Sequence, residues 1–302
     1  MAFKTLIKAA RLPFLILTPV CILLAYALAR RQASDVSLLD TGLIFIGALA
    51  AHVAVNLLNE YLDFSSGLDL ITRKTPFSGG SGALPADPAS APLILKASYL
   101  CIFLVCLVEG YFLLLAPLSV QARLCLLFIG VSGLLIIICY TRILNRLPWL
   151  CLIAPGLGFG TFMVLASVLL LTGEITVQAL LLSLVPFFHI NNLLLLNQYP
   201  DIEADKSVGR NHFAIAYGIA NSNRVYGIFM LLPFLLLGVL ISAGALPLLS
   251  VIALIPLLPG LVVVAEVNRQ GANIAEHPKY LALNVAVTLA TSLLLALSLL
   301  FG

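Results

Sequence analysis

Charge is what this sequence has least of. Its 302 residues include 16 Lys and Arg and 13 Asp and Glu, 10% in all, against roughly 25% in a typical soluble domain. With 62% hydrophobic residues and a mean hydropathy of +1.13, the composition excludes a soluble globular protein and requires a bilayer as solvent. Paired cysteines are also missing. Cys21, Cys101, Cys106, Cys125, Cys139 and Cys151 fall within or beside apolar runs with no Cys-x-x-Cys spacing, so they read as small buried hydrophobes. The four histidines are as scattered. His52 and His189, inside apolar runs, read as hydrogen-bonded packing residues, and no zinc or haem site is visible. No polar stretch is long enough for a second domain, so residues 1–302 are expected to form one integral-membrane unit.

What is present is a series of apolar runs of the length a bilayer core demands, about 20 residues for about 30 Å. They predict an all-α, polytopic bundle of nine transmembrane helices, near 12–29, 41–62, 93–117, 123–140, 150–172, 176–199, 225–243, 246–267 and 280–301. Residues 214–223 read either as loop or as the start of the seventh helix. The first run follows Lys4, Lys8 and Arg11 and ends in Ala27-Leu28-Ala29, which mimics a signal peptide. Its length of about 18 residues exceeds a signal h-region of about 7–15, so a retained helix is expected.

Lys and Arg accumulate on the cytoplasmic side of membrane proteins. With nine spans and an inner N-terminus, the inner segments hold 13 of the 16 basic residues, and the outer segments only Arg30, Arg31 and Arg123. The net charge of +3 is therefore a topology signal, pointing to a bacterial inner membrane and not to a nucleic-acid partner.

The acids cluster. Glu60, Asp63 and Asp69 follow the second run and Asp201, Glu203 and Asp205 the sixth, so two short segments on the same side hold six of 13. Residues four apart share a helix face. Asn56, Asn59, Glu60 and Asp63 form one stripe, and Asn197, Asp201 and Asp205 an i, i+4, i+8 stripe if the sixth helix continues. Two such stripes repel unless a cation lies between them. Carboxylate and amide oxygens suit Mg²⁺, which in proteins takes one or two carboxylates, waters and commonly a phosphate. Arg73, Lys74, Arg142, Arg146, Lys206 and Arg210 lie in loops on that side and are candidate phosphate ligands. The glycine-rich FSGGSGALP, residues 77–85, could offer backbone N–H groups to a phosphate or be a flexible loop. Asn191 and Asn192 read as interhelical hydrogen-bond partners.

NLLNEYLDFSSGLD, from Asn56, and NQYPDIEADKSVGR, from Asn197, resemble the two aspartate-rich motifs of the UbiA family of intramembrane prenyltransferases. YTRILNRLPW, from Tyr140, and GLGFG, from Gly156, look like the family's middle helices. The resemblance implies the UbiA fold, with Asn59, Asp63, Asp201 and Asp205 holding Mg²⁺ against the diphosphate of an allylic polyprenyl donor, and Asp69 and Asn197 assisting. Rings such as Tyr140, Phe159, Phe188 and Tyr199 would face the allylic cation, and an aromatic acceptor would attack it. The Asp63-to-Asp69 spacing and SSGLD look most like the MenA branch, whose acceptor is 1,4-dihydroxy-2-naphthoate in menaquinone synthesis. 4-Hydroxybenzoate or another quinone or lipid precursor is the alternative acceptor. This sequence departs from the family pattern at Glu60, after Tyr140-Thr141, and at His212, where aspartate, a glycine- and lysine-containing pattern, and threonine are usual. A secondary transporter would also place acids in a bundle, but near the midplane and not at the helix ends.

Overall fold

The structure is a computed structural model and describes residues 2–33, 35–75 and 77–302. Among the described residues a short helix, α1 (Ala2–Ala9), precedes nine helices that are long and apolar enough to cross a membrane. These are α2 (Leu12–Gln32), α3 (Leu38–Ser65), α4 (Pro88–Leu115), α5 (Val120–Cys139), α6 (Pro148–Thr172), α7 (Val177–Ser207), α8 (Phe213–Ser242), α9 (Leu248–Glu276) and α10 (Pro278–Phe301). All nine expected spans are found. No strand occurs among the described residues.

Local sequence accounts for the helix ends. Ser37, Ser119 and Thr176 accept N–H bonds from Asp40, Ala122 and Ala179, satisfying donors that open α3, α5 and α7. Pro88, Pro148 and Pro278 open α4, α6 and α10, where a missing N–H costs nothing. The ambiguous stretch 214–223 belongs to α8, which starts at Phe213 and is interrupted once, at Gly218 (φ 80°, ψ 166°), a conformation open to glycine.

The core has two main parts. Cys21, Leu24, Leu28, Val164, Val168, Leu182, Val185 and Leu295 join α2, α6, α7 and α10. Leu195, Tyr226, Met230, Val263 and Val287 join α7 to α8, α9 and α10. Side chains such as Tyr99, Phe103, Leu107, Leu114 and Phe128 stay exposed on α4 and α5, forming the apolar belt a lipid-facing surface needs. His52 and the two central asparagines have the packing roles expected of them. His52 Nδ1 lies 2.8 Å from Thr18 Oγ1, Asn191 accepts the Gly156 N–H at 2.6 Å, and Asn192 donates to the Tyr226 carbonyl at 2.9 Å. His189 is fully buried and packs edge-on against Phe234, 5.3 Å between centroids, with no hydrogen bond to either ring nitrogen.

Candidate active site

The two acidic segments meet at one end of the bundle, at the mouth of a cavity of about 530 Å³. Helix α3 runs nearly three turns past Val55, to Ser65, and so carries Asn56, Asn59 and Asp63 to the cavity wall. Helix α7 does not continue as the second stripe assumed. Its α-helical part ends at Asn197; a 3₁₀ turn, Tyr199–Asp201, and a short helix, Ile202–Ser207, follow. Pro200 is the cause, since it has no N–H and cannot continue the ladder. Asn197, Asp201 and Asp205 line the cavity nonetheless.

The cation between the stripes is a side chain of this chain. Arg210 donates to Asp63 and, at 2.9 Å, to Asp205, tying the motifs together. Asn59 donates to Asp63 at 2.9 Å. His212 Nε2 lies 3.1 Å from the other Asp205 oxygen. Asp201 accepts the Gly79 N–H at 3.0 Å through one oxygen, while its other oxygen is buried without a partner. Among the described residues no three Asp, Glu, His or Cys side chains are arranged to hold an ion. The oxygens present still fit a hard cation that takes one or two carboxylates and completes its shell with phosphate and water, and the orphaned Asp201 oxygen is such a donor.

The basic residues divide sharply. Of the six expected near a phosphate, Arg210 alone lines the cavity. Arg73, Lys74, Arg142, Arg146 and Lys206 are exposed outside its wall, and Lys206 pairs with Glu203 at 3.1 Å. Two others replace them at the wall, Lys8 and Arg11. Arg11 sits where α1 turns into α2 and is the non-glycine residue with positive φ (54°) among those described. That conformation costs of order 1–2 kcal/mol for an L-residue, and it places the guanidinium 3.2 Å from Asn59 Oδ1 and 3.5 Å from Glu60. The sequence signal was the basic run itself, which otherwise reads only as topology.

Glu60 is fully buried and serves the glycine-rich loop. It accepts the Ser81 hydroxyl at 2.6 Å and the N–H groups of Ser81, Ala83 and Leu84 at 3.2, 3.2 and 3.4 Å. Three of the loop's N–H groups therefore go to Glu60, that of Gly79 goes to Asp201, and those of Phe77 and Ser78 go to Thr75 Oγ1. Removing the acceptor leaves buried loop donors unsatisfied, at roughly 1–3 kcal/mol each, so Glu60→Ala is expected to lower the melting temperature in detergent and expose the loop to protease. A wild-type melting temperature would contradict the anchoring role.

Asp69 lies behind this loop, 4% exposed and outside the cavity lining. A Cβ on Gly80 would collide with its carboxylate, so this position requires glycine. Burial, with Glu60 and Asp63 nearby, pushes the Asp69 carboxyl up to about 7. A raised folded pKa favours folding fully below the unfolded value near 3.8, and the benefit is lost as pH rises through about 7. Metal-free Asp69→Asn is accordingly expected to melt above wild type at pH 8 and level with it below pH 4. Equal melting at both pH values would remove the buried-carboxyl account.

Of the four rings expected to face a cation, Tyr140 and Phe159 line the cavity. Phe188 packs against Phe187 and Phe229, and Tyr199 is buried with its hydroxyl on Asn223 at 2.8 Å.

Comparison with known proteins agrees with this fold. A 1,4-dihydroxy-2-naphthoate octaprenyltransferase of Bacillus subtilis (strain 168) is 28% identical over 201 residues, 65% of this chain and 60% of that protein. The match thus spans less than two thirds of the relative's length. A solved digeranylgeranylglyceryl phosphate synthase superposes with a TM-score of 0.69 at 16% identity, covering 99% of both chains. A UbiA homologue from Archaeoglobus fulgidus, bound to DMAPP and Mg²⁺, superposes with a TM-score of 0.67 at 14% identity, covering 98% of this chain and 99% of that one. Residues 18–286 match the UbiA prenyltransferase family, and with nearly nine tenths of its length inside that match the chain belongs to this family.

Proposed function

We propose that the protein transfers a polyprenyl group from an allylic isoprenoid diphosphate to an aromatic acceptor, 1,4-dihydroxy-2-naphthoate, for menaquinone synthesis. The observation that carries the reading is the position of Asp63, Asp201, Asp205 and Arg210 at the mouth of a cavity whose interior is apolar. Charged chemistry is available at one end, and space for an isoprenoid tail continues behind it.

Asn59, Asp63, Asp201 and Asp205 would hold Mg²⁺, with Asn197 at the same wall. Bound there, Mg²⁺ supplies Lewis-acid neutralisation of the diphosphate leaving group. Arg210 shares that task by charge-assisted hydrogen bonds once the donor draws it from the carboxylates. The apolar wall holds the tail, since burying isoprenoid carbon is favourable by about 25 cal/mol per Å². The same wall excludes the water that would quench an allylic cation, and Tyr140 and Phe159 present ring faces to it. The donor C–O bond breaks as diphosphate leaves, the acceptor ring carbon bonds to the allylic carbon, and the ring proton passes to the released diphosphate or to water; 1,4-dihydroxy-2-naphthoate must in addition release its carboxylate as CO₂ to enter menaquinone synthesis. The positive-inside asymmetry supports a cytoplasmic location for this end, at the inner membrane.

The Bacillus subtilis relative supports the naphthoate acceptor. The test is Mg²⁺-dependent product formation by the purified protein from a labelled polyprenyl diphosphate, with 1,4-dihydroxy-2-naphthoate and 4-hydroxybenzoate in parallel. Prenylated naphthoate, lost with EDTA, is the expected result. Prenylated 4-hydroxybenzoate alone would replace the acceptor, and an untouched donor with both would overturn the reading.

A further inference from the structure

Helix α6 is not α-helical throughout. Gly156–Phe162, GLGFGTF, forms a π-helical segment in its middle, and such segments are rare and concentrate at functional sites. It lies directly against α7. A Cβ on Gly156 would collide with the Phe187 carbonyl and the Asn191 amide, and one on Gly160 with the Phe187 backbone. The two backbones touch there, and Asn191 accepts the Gly156 N–H at 2.6 Å. The widened turn presents Gly158, Phe159 and, one turn on, Met163 to the cavity.

These residues form its deep wall. The Phe159 ring lies 4.4 Å from His52, which is fixed by Thr18. Phe159 and Met163 also pack from behind onto the closed core of Cys21, Leu24 and Val164. Along α3 the lining runs from Asp63 to Ala51, about 18 Å at 1.5 Å per residue. Space at this depth is kept by glycine. A Cβ on Gly158 would meet only Ile136, at 4.0 Å, and one on Gly133, across the cavity on α5, would meet nothing within 4 Å.

We infer that the π-helical segment is a length gauge for the donor: Gly133 and Gly158 leave room for the tail, and Phe159 and Met163 set where it ends. Asn191 is the positioning residue, holding the segment without touching the tail. The inference rests on the proposed prenyl transfer and assigns the residues that select the donor.

The experiment measures kcat/KM for dimethylallyl, geranyl, farnesyl and longer all-trans diphosphates in wild type, Gly158→Leu, Phe159→Ala and Asn191→Leu. In parallel, equilibrium binding of the same series is read without acceptor. Discrimination per apolar group in a pocket is about 10-fold or more. Gly158→Leu should therefore lower the ratio of longest to shortest donor by at least about 10-fold, and Phe159→Ala should raise it by a similar factor. Asn191→Leu should shift the preferred length, whereas a merely structural role would scale every donor alike. An unchanged ratio in Gly158→Leu and Phe159→Ala, with both variants folded, overturns the gauge; it would mean that the tail leaves sideways past the exposed Pro13 and Ile16. If no donor is turned over but binding follows the predicted length shifts, prenyl transfer fails while the gauge stands.

Discussion

Replacing Asp63 with alanine is expected to lower kcat/KM for prenyl transfer by at least about 10²–10³-fold, the loss seen when one preorganised charge-stabilising group is removed. Asp63 is 5% exposed and receives bonds from Asn59 and Arg210, so one carboxylate orients an amide from its own helix and a guanidinium from the other motif. Removing it loosens both while deleting an oxygen donor for the cation. The same change breaks a buried ion pair, which by itself costs roughly 3–5 kcal/mol, so a melting curve must accompany the assay. Asp63→Asn keeps the volume and part of the hydrogen bonding, and separates the two effects. A folded Asp63→Asn with activity within about 10-fold of wild type would remove Asp63 from the charge-stabilising set.

Much of this site is legible in the sequence. The nine spans follow from apolar run length alone, and the meeting of Asn59 and Asp63 with Asp201 and Asp205 follows from two clusters at the ends of helices on one side. Periodicity reports which residues share a face, but not which loop folds back over it. For that reason Arg73, Arg142 and Lys206 looked equivalent to Arg210, although only Arg210 reaches the carboxylates. Lys8 and Arg11 were legible as charges but not as wall residues, because a left-handed turn at Arg11 is not written in its residue type. Glu60 shares the Asn59 and Asp63 stripe, yet its longer side chain reaches the loop N–H groups and not the cavity. One signal was in plain view: a proline at 200 inside an i, i+4, i+8 stripe already marks a broken helix.

Arg210 should show the second large effect, with opposite signs in two measurements. In this structure its guanidinium lies between Asp63 and Asp205, where the two motifs' charges would otherwise repel. A diphosphate presents the same fork of oxygens to arginine as a carboxylate pair, with more charge. Arg210→Gln is accordingly expected to raise the donor KM by about 10- to 100-fold, the loss of one or two charge-assisted hydrogen bonds of about 1.5–3 kcal/mol. The same substitution leaves Asp63 and Asp205 facing each other without a counter-charge, which favours any cation that can replace it. Mn²⁺ binding to the donor-free protein, followed by electron paramagnetic resonance, should therefore tighten in Arg210→Gln even as donor binding weakens. If both affinities fall together, the guanidinium is not a competitor for the cation site but part of the scaffold that builds it. If donor KM stays at the wild-type value, the diphosphate is held by Lys8 and Arg11 across the cavity, and Arg210 only joins the two motifs.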